Sequence, residues 1–360
     1  MVEKQIMEEK LNLVSDKMMT LKNNGMKEKY PVSLIDINCW EWPQGVGLFG
    51  LYRYYEMSRK PELLTFLTDW YDRRMEEGIV EKNVNTTSPM LTLTYLYEIT
   101  KKESYLAFIG EWADWIMEEK GLIRTGDGCF QHMITGNPND SEILIDTLFM
   151  TVLFLARAGR LLHRQDYIEE AKYQVLCHIK YLLNKNEGLF YHGFNFKRND
   201  NYGGILWGRG NCWYTIVAME LIQEIPMEEG LKRHFLTVYE NQVEALKRYA
   251  DPETGLWHTV IDDPDSYLEL SASAAFLRGI MQGVRLGILK REEYEGLIEK
   301  AVKGLLDNIG DDGTVKNVSY GTPIGLDKEF YNKIPCCPMT YGQALMILAL
   351  QEALTDYWHS

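Results

Sequence analysis

Two kinds of helical stretch alternate along this chain, and that alternation constrains its fold more than any other feature. Residues 141–162 are apolar nearly all round, which is typical of a helix enclosed on several sides. Residues 166–184 carry apolar side chains on one face and charged side chains on the other. The same pairing recurs for 210–225 with 231–250, and the period-two alternation of strands is almost absent. The pattern therefore predicts an all-α protein built from paired helices.

Six enclosed helices alternating with six one-faced helices predict a closed (α/α)6 barrel. An open helical solenoid is the alternative, but a solenoid usually keeps a tighter repeat length than the enclosed helices show here. No linker or low-complexity tract divides the sequence, so we expect a single domain over residues 1–360. The predicted helices are 3–24, 44–58, 61–77, 88–101, 103–119, 141–162, 166–184, 210–225, 231–250, 267–289, 291–308 and 340–356.

The charge balance excludes several classes of partner. The chain has 38 Lys and Arg against 52 Asp and Glu, a net charge of −14, which argues against nucleic acid and anionic membranes. Its most apolar run, 143–158, is too short for the roughly 20 residues of a membrane span, and no apolar signal core follows the N-terminus. Six cysteines form no C-x-x-C pair. We expect a cytoplasmic protein, either a monomer or a homodimer.

Long connections precede several of the enclosed helices. Segments 25–43, 120–140, 185–209, 251–266 and 309–339 are rich in Trp, His, Asn, Asp and Gly, and in a barrel they would meet at one mouth. Such a mouth suits a small oligosaccharide, because flat apolar sugar faces stack on tryptophan while hydroxyls bind polar side chains. The pocket is predicted to be lined by Trp40, Trp42, His132, His192, Trp207, Trp213 and Trp257.

Asp146 is the candidate catalytic residue. It lies in the apolar segment Ile143–Phe149, about one turn into a predicted enclosed helix. Burial would raise the pKa of its carboxyl toward a value useful for a general acid, whereas the helix N-terminus would lower that pKa. The direction stays open at this point, as does the alternative that Asp146 only bonds backbone donors at the helix start.

Arg209 lies between two tryptophans in the segment Trp207–Trp213, W-G-R-G-N-C-W. Its guanidinium fork can hold a carboxylate through two hydrogen bonds. A structural loop in which Arg209 pairs with an internal Asp or Glu is an equally good interpretation.

Other titratable side chains are weighed because ordinary glycosidases use two carboxylates. Glu41, Glu142 and Glu269 lie near the starts of enclosed helices. No His-x-His or His-x-x-x-His spacing appears, so we expect no metal, and no motif implies an organic cofactor. The candidate ligand contacts among the histidines are His132, His192 and His258.

Three motifs together resemble glycoside hydrolase family 105, the unsaturated rhamnogalacturonyl hydrolases. They are D-T-L-F-M at 146–150, Y-H-G-F at 191–194 and W-G-R-G-N-C-W at 207–213. The likeness includes residues 85–93 and spans about 30–350. It implies an (α/α)6 barrel, in agreement with the helix pattern.

The resemblance also implies a reaction. These enzymes hydrate the C4=C5 double bond that pectin lyases leave in the terminal uronic acid, a vinyl ether. Asp146 would protonate C4 and then, as a carboxylate, accept a proton from the water that attacks C5. The resulting hemiketal opens and releases the remaining sugar, commonly starting with rhamnose.

Binding residues follow from the same likeness. Trp40 or Trp42 would form an aromatic wall, and Asn85 would be a polar contact. The sister family 88 has a second Asp where this chain reads N-V-N-T at 83–86, which favours family 105. The other implied substrate-binding residues are His132, His192, Trp207, Arg209 and Trp213.

Four alternatives remain open. An unsaturated glucuronyl hydrolase would use the same chemistry on another uronic acid. An inverting glycosidase would need two essential carboxylates, and a sugar epimerase would need paired histidines. A carbohydrate-binding protein would bind a sugar but never form product.

Overall fold

The computed structural model describes residues 3–29, 33–78 and 81–357. Helices dominate it, and the twelve longest alternate between buried and amphipathic, as the sequence predicts. The α-helices are α1 Lys4–Met19, α2 Met26–Lys29, α3 Trp42–Ser58, α4 Pro61–Glu77, α5 Val84–Thr87, α6 Met90–Thr100, α7 Glu103–Met117, α8 Leu153–Leu161, α9 Gln165–Leu182, α10 Gly208–Glu224, α11 Glu229–Tyr249, α12 Leu270–Arg285, α13 Arg291–Asp307, α14 Lys328–Asn332 and α15 Thr340–Glu352.

The six buried helices form a closed ring. In chain order α3, α6, α8, α10, α12 and α15 each contact the next, and α15 contacts α3. The helices α1, α4, α7, α9, α11 and α13 each lie against one member of this ring. The predicted all-α (α/α)6 barrel is confirmed, since an open solenoid would leave its two end helices apart.

Small residues let the ring close tightly between α3 and α15. A Cβ built on Gly47 would lie 2.6 Å from the side chain of Thr340, and one on Gly50 would lie 3.0 Å from Ala344. Both distances are too short for a methyl group without a shift of the neighbour. Glycine at these positions therefore sets the distance between the first and last inner helices.

In the described part of the chain, six short strands lie within the connections between helices. They pair as antiparallel β1–β2, β3–β6 and β4–β5. In the second pair Glu142 lies opposite Asn195, and Leu144 lies opposite Gly193. The strands are β1 Arg124–Thr125, β2 Cys129–Phe130, β3 Glu142–Leu144, β4 Leu183–Asn184, β5 Leu189–Phe190 and β6 Gly193–Asn195.

Strand β3 corrects one predicted helix boundary. The helix predicted over 141–162 begins only with the π-helical turn Leu148–Val152, which continues into α8. Residues 142–144 instead bond to β6, a partner some fifty residues further along the chain that helical periodicity cannot reveal. No helix in the described ranges is long and apolar enough to cross a lipid bilayer.

Candidate active site

A cavity of about 310 Å³ opens where the inner helices begin, and we call it the mouth cavity. The long connections flagged in the sequence supply most of its wall. Its floor is buried, whereas residues such as Asn137 and Pro323 are exposed at its rim. The mouth cavity is lined by Trp42, Asn85, His132, Ile134, Asn137, Asn139, Glu142, Leu144, Asp146, Met150, His192, Thr322, Pro323 and Ile324.

Asp146 lies in this cavity, in the tight turn between β3 and the π-helical turn. Its carbonyl accepts hydrogen bonds from the backbone N–H of Phe149 (3.1 Å) and Met150 (3.0 Å), so it precedes the helix. The expectation that Asp146 lies one turn into the helix is therefore wrong, because β3 occupies the residues before it. The turn directs the carboxyl into the mouth cavity, with the side chain 16% exposed.

The two carboxyl oxygens of Asp146 have different surroundings. The indole N–H of Trp213 donates a hydrogen bond to Oδ1 at 3.0 Å. Oδ2 has no hydrogen-bond partner among the described residues and lies 3.6 Å from Nε2 of His192. One oxygen is thus fixed by the protein, and the other is available to a ligand or a proton.

The electrostatic surroundings give the pKa of Asp146 a direction that the sequence left open. Burial raises this pKa, but the imidazole of His192 and the charges of His132 and Arg209 lower it more, so the net shift is downward. The free protein therefore holds Asp146 ionised at neutral pH.

Two aromatic side chains, Tyr331 and Trp207, fix the orientation of the His192 ring beside the Asp146 carboxylate. The Tyr331 hydroxyl and Nδ1 of His192 share a hydrogen bond of 2.8 Å, and Trp207 packs against the imidazole with centroids 4.2 Å apart. Trp207 is buried in a small cluster with Tyr331 and does not line the mouth cavity. It packs against His192 and does not line the pocket, although the sequence predicts that it would.

His132 is the second buried imidazole of the floor. Its Nδ1 lies 2.9 Å from the Thr147 hydroxyl, and only 5% of the residue is exposed. Desolvation is the largest cause that lowers its pKa, to about 4. The ring is consequently neutral at neutral pH.

Arg209 does not present its guanidinium to the mouth cavity. Nη1 donates to the Ser319 carbonyl at 3.0 Å, and Nη2 donates to the Tyr320 carbonyl (3.0 Å) and the Thr322 hydroxyl (2.8 Å). An ion pair of 3.7 Å joins Nη1 to Glu269. The predicted contact with a substrate carboxylate is thus not available, because both terminal nitrogens hold a loop whose Thr322 lines the cavity. This is the structural alternative that the sequence left open.

The two N-terminal tryptophans differ in position. Trp42 begins α3 and lines the mouth cavity, as does Asn85 of α5. Trp40 lies apart, since its indole N–H donates to the Thr86 carbonyl at 2.7 Å and its ring stacks on Trp70 at 5.3 Å. Trp42 is therefore the aromatic wall of the mouth cavity, whereas Trp40 packs in an aromatic cluster with Trp70.

Three carboxylates were candidates for a partner of Asp146. Glu41 caps α3 by accepting from the Trp42 N–H (2.8 Å), and burial raises its pKa. Glu269 caps α12 by accepting from the Ala272 N–H (2.7 Å). Only Glu142 lines the mouth cavity.

Two further sequence candidates lie away from the cavity. The buried indole N–H of Trp257 donates to the Leu246 carbonyl at 2.7 Å, and His258 is bonded to the carbonyl of Ser266. Conversely, Tyr331 was missed, and its only signal was its place in a long connection. The lining residues that the sequence did not single out are Ile134, Asn137, Asn139, Thr322, Pro323 and Ile324.

Barrel and cavity together define a class of protein. A half-buried carboxylate beside imidazoles and a tryptophan that lines the cavity, at the mouth of an (α/α)6 barrel, suits a hydrolase acting on carbohydrate.

The chain belongs to glycosyl hydrolase family 88, whose sequence model matches residues 12–357. It is 32% identical to the unsaturated rhamnogalacturonyl hydrolase YesR of Bacillus subtilis (strain 168), over 88% of this chain and 90% of that protein. The resemblance to the unsaturated rhamnogalacturonyl hydrolases that the motifs carry is confirmed.

Solved structures agree with this assignment. The crystal structure of a possible member of family GH105 from Salmonella enterica superposes with a TM-score of 0.93 at 38% identity, covering 99% of this chain and 95% of that one. The unsaturated glucuronyl hydrolase of Bacillus sp. GL1 superposes with a TM-score of 0.73, covering 96% of this chain and 95% of that one. At 18% identity, this second likeness shows the fold alone.

Proposed function

We propose that the protein hydrates the C4=C5 double bond of a non-reducing terminal unsaturated galacturonic acid in rhamnogalacturonan oligosaccharides. The reaction releases the former uronate, as an open-chain keto acid, from a rhamnose-ended sugar. The observation that carries the proposal is Asp146, whose Oδ1 is held by Trp213 while Oδ2 is unbonded in the mouth cavity. The name of the Bacillus subtilis relative, an unsaturated rhamnogalacturonyl hydrolase, supports the choice of substrate.

The chemistry needs one group that first gives and then takes a proton. Protonated Asp146 transfers its proton to C4, and the double bond becomes a cation stabilised at C5 by the ring oxygen. Water then adds to C5 and gives one proton back to the Asp146 carboxylate. The hemiketal formed at C5 opens, the ring is lost, and the former anomeric carbon releases the leaving sugar. The net change is the addition of one water molecule.

A single carboxylate suits this reaction better than it suits an ordinary glycosidase. Inverting and retaining glycosidases both need two carboxylates facing one sugar ring. Of the other candidate carboxylates, Glu41 and Glu269 are engaged as helix caps, and Glu142 lines the mouth cavity four residues before Asp146. This arrangement favours proton transfer by one residue.

Substrate binding would raise the pKa of Asp146, so that the carboxylate takes up the proton that the first step of the reaction needs. Asp146 is ionised before binding, because its pKa is lowered. A bound uronate adds a negative charge and displaces water, and both effects raise the pKa of a neighbouring carboxyl. We therefore expect Asp146 to take up a proton as the substrate enters.

The remaining predicted residues fall into two groups in this proposal. Trp42 would stack on the sugar, while His192, His132 and Asn85 would bind its polar groups. Trp207 and Arg209 would act as positioning residues, through the ring of His192 and through the 319–322 loop respectively.

Loss of ultraviolet absorbance by the conjugated C4=C5 bond tests the proposal. Purified protein is mixed with an unsaturated galacturonyl-rhamnose disaccharide, beside Asp146→Asn and the exposed control Asp140→Asn. We expect the wild type and the control to remove the absorbance and Asp146→Asn to leave it. Equal loss with all three proteins would remove Asp146 from the mechanism, and no loss with the wild type would refute the reaction.

We also propose a cytoplasmic location and a monomeric or homodimeric state. Cys129, Cys177, Cys212, Cys336 and Cys337 carry free thiols, which suits a reducing compartment. Cell fractionation and light scattering of the purified protein test these two points. Recovery from an oxidising compartment, or a larger assembly, would contradict them.

A further inference from the structure

Glu142 lies on the same wall of the mouth cavity as Asp146, nearer to the rim. Glu142 and Leu144 point to the same side of β3, and both line the cavity together with Asp146, which follows in the turn. Four residues of extended chain span at most roughly 13 Å, and the stretch from Glu142 to Asp146 is shorter because Ile145 and Asp146 lie in a turn. A disaccharide whose first ring lies at Asp146 would therefore pass Leu144 and bring its second ring to Glu142.

The carboxylate of Glu142 has neutral partners. One is the Tyr202 hydroxyl, since burial and the hydrogen bond to Glu142 raise the pKa of Tyr202. The amide of Asn195 donates to it at 3.4 Å, close to the limit of a hydrogen bond, and no ion pair to Lys or Arg is found for it within the described ranges. The nearby cations are engaged elsewhere, Lys197 with Asp140 and Arg198 with Asp200. Glu142 thus contributes a negative charge to the cavity wall that no cation balances.

The surroundings of Glu142 suit a neutral sugar with an apolar edge. Ile134, Leu144 and Ile324 provide apolar contact for a deoxy sugar's methyl group, and the amide of Asn137 lies at the rim. A carboxylate accepts hydrogen bonds from sugar hydroxyls. It repels a sugar that carries a sulfate or carboxylate group, and an unpaired charge is an effective means of rejecting the wrong ligand.

We propose that Glu142 determines the leaving-group specificity of the enzyme, by accepting hydroxyls of a neutral second sugar and excluding an anionic one. The inference rests on the proposed function and adds to it the residue that selects a neutral over an anionic second sugar.

Two matched substrates test the inference, namely an unsaturated uronyl-rhamnose disaccharide and the same disaccharide with a sulfate ester on its rhamnose. The measured quantity is the ratio of kcat/KM for the sulfated over the neutral substrate, followed by the loss of double-bond absorbance. For the wild type we expect this ratio to be 0.1 or smaller, and for Glu142→Gln we expect it to rise by about tenfold or more, mainly through KM of the sulfated substrate.

The control is Glu81→Gln, the same substitution at an exposed residue whose carboxylate contacts the backbone N–H of Gly136 beside the rim (3.4 Å). We expect it to leave the ratio unchanged. An equal rise in both variants, or no rise in Glu142→Gln, would overturn the inference.

A measurement on the wild type alone avoids any folding defect of the variant. If a charge excludes the sulfated substrate, raising the ionic strength from about 0.02 to 0.5 M should raise the ratio several-fold, because salt screens the repulsion. A wild type that turns over both substrates equally would overturn only this inference. A wild type that turns over neither would overturn the proposed function with it.

Discussion

The two ends of the barrel bury carboxylates in opposite ways. Toward the C-terminal ends of the inner helices, Glu220 of α10 is clamped between Arg53 of α3 and Arg278 of α12, with 1% of its side chain exposed. At the mouth, Asp146 accepts one hydrogen bond from Trp213 and leaves its second oxygen unbonded. Burial raises the pKa of both carboxyls, but neighbouring charges lower it more, for Glu220 to about 2.

The difference lies in what neutralises each charge. Arginines stay protonated at every accessible pH, so Glu220 is locked as an anion that joins three inner helices. Asp146 lies beside the imidazoles of His132 and His192, and it opens to the mouth cavity. The comparison shows that burial and a lowered pKa alone do not decide whether a carboxylate is open to a ligand. An unbonded oxygen that faces a cavity is also needed.

The strongest test of this contrast is Asp146→Asn. We expect kcat to fall by at least about 10³-fold, because the amide can neither give nor take the proton. The free energy of unfolding should change little, since Oδ2 makes no hydrogen bond. Steady-state kinetics and urea unfolding measure the two quantities. A large loss of stability with retained kcat would assign Asp146 to the structure instead.

Glu220→Gln should have the reverse effect. The substitution leaves the buried guanidinium of Arg278 without the anion that it pairs with, so the free energy of unfolding should fall by about 3–5 kcal/mol. We expect kcat per folded molecule to stay unchanged. The control Glu293→Gln breaks an exposed pair with Lys290 and should cost less than about 1 kcal/mol. Equal effects of the two substitutions would contradict the contrast.

Arg209→Lys distinguishes a positioning role from direct binding. Lysine cannot reproduce the forked hydrogen bonds to Ser319 and Tyr320, so the free energy of unfolding should fall by about 2 kcal/mol or more, with a smaller loss of kcat/KM. Exposed Arg198→Lys is the matched control and should leave both quantities unchanged. A raised KM for the uronate with undiminished stability would restore the direct contact that the structure does not support.

The pH dependence of stability gives the smallest effect. Desolvation lowers the pKa of both His132 and His178 to about 4, below the 6.5 of the unfolded chain. The unfolded state therefore binds more protons below pH 6.5, and stability is lost as the pH falls from about 6.5 to 4, by up to about 1.4 kcal/mol per pH unit for each histidine. Urea unfolding at pH 7, 6 and 5 should show a shallower decline in His178→Gln. The same decline of stability with falling pH in the wild type and in His178→Gln would contradict the lowered pKa of His178.

The fold was largely predictable because its signal is local. Helical periodicity reports which face of each segment is buried, and the alternation of enclosed and one-faced helices survives in the closed ring. The error before Asp146 has a non-local cause, since Leu144 pairs with Gly193 through backbone bonds that no nearby residue specifies.

Part of the site was also predictable, because some of its residues give a local signal in the sequence. Asp146 was a candidate because it interrupts an apolar segment, and His192 because it lies in a long connection and a recognisable motif; both line the mouth cavity. The sequence could not decide between a binding and a structural role of Arg209, because its partners Ser319 and Tyr320 are 110 and 111 residues away in the sequence. Tyr331 escaped notice because it contacts His192 across 139 residues. Side chains that orient other side chains carry little local signal.

The order of two events tests the central claim most directly. In a single time course with the unsaturated galacturonyl-rhamnose disaccharide, the absorbance of the C4=C5 bond and the concentration of free rhamnose are both recorded. Hydration at Asp146 predicts that the absorbance falls before or together with the release of rhamnose, and that neither changes in Asp146→Asn. Rhamnose that appears while the absorbance persists would show attack at the anomeric carbon and contradict the account.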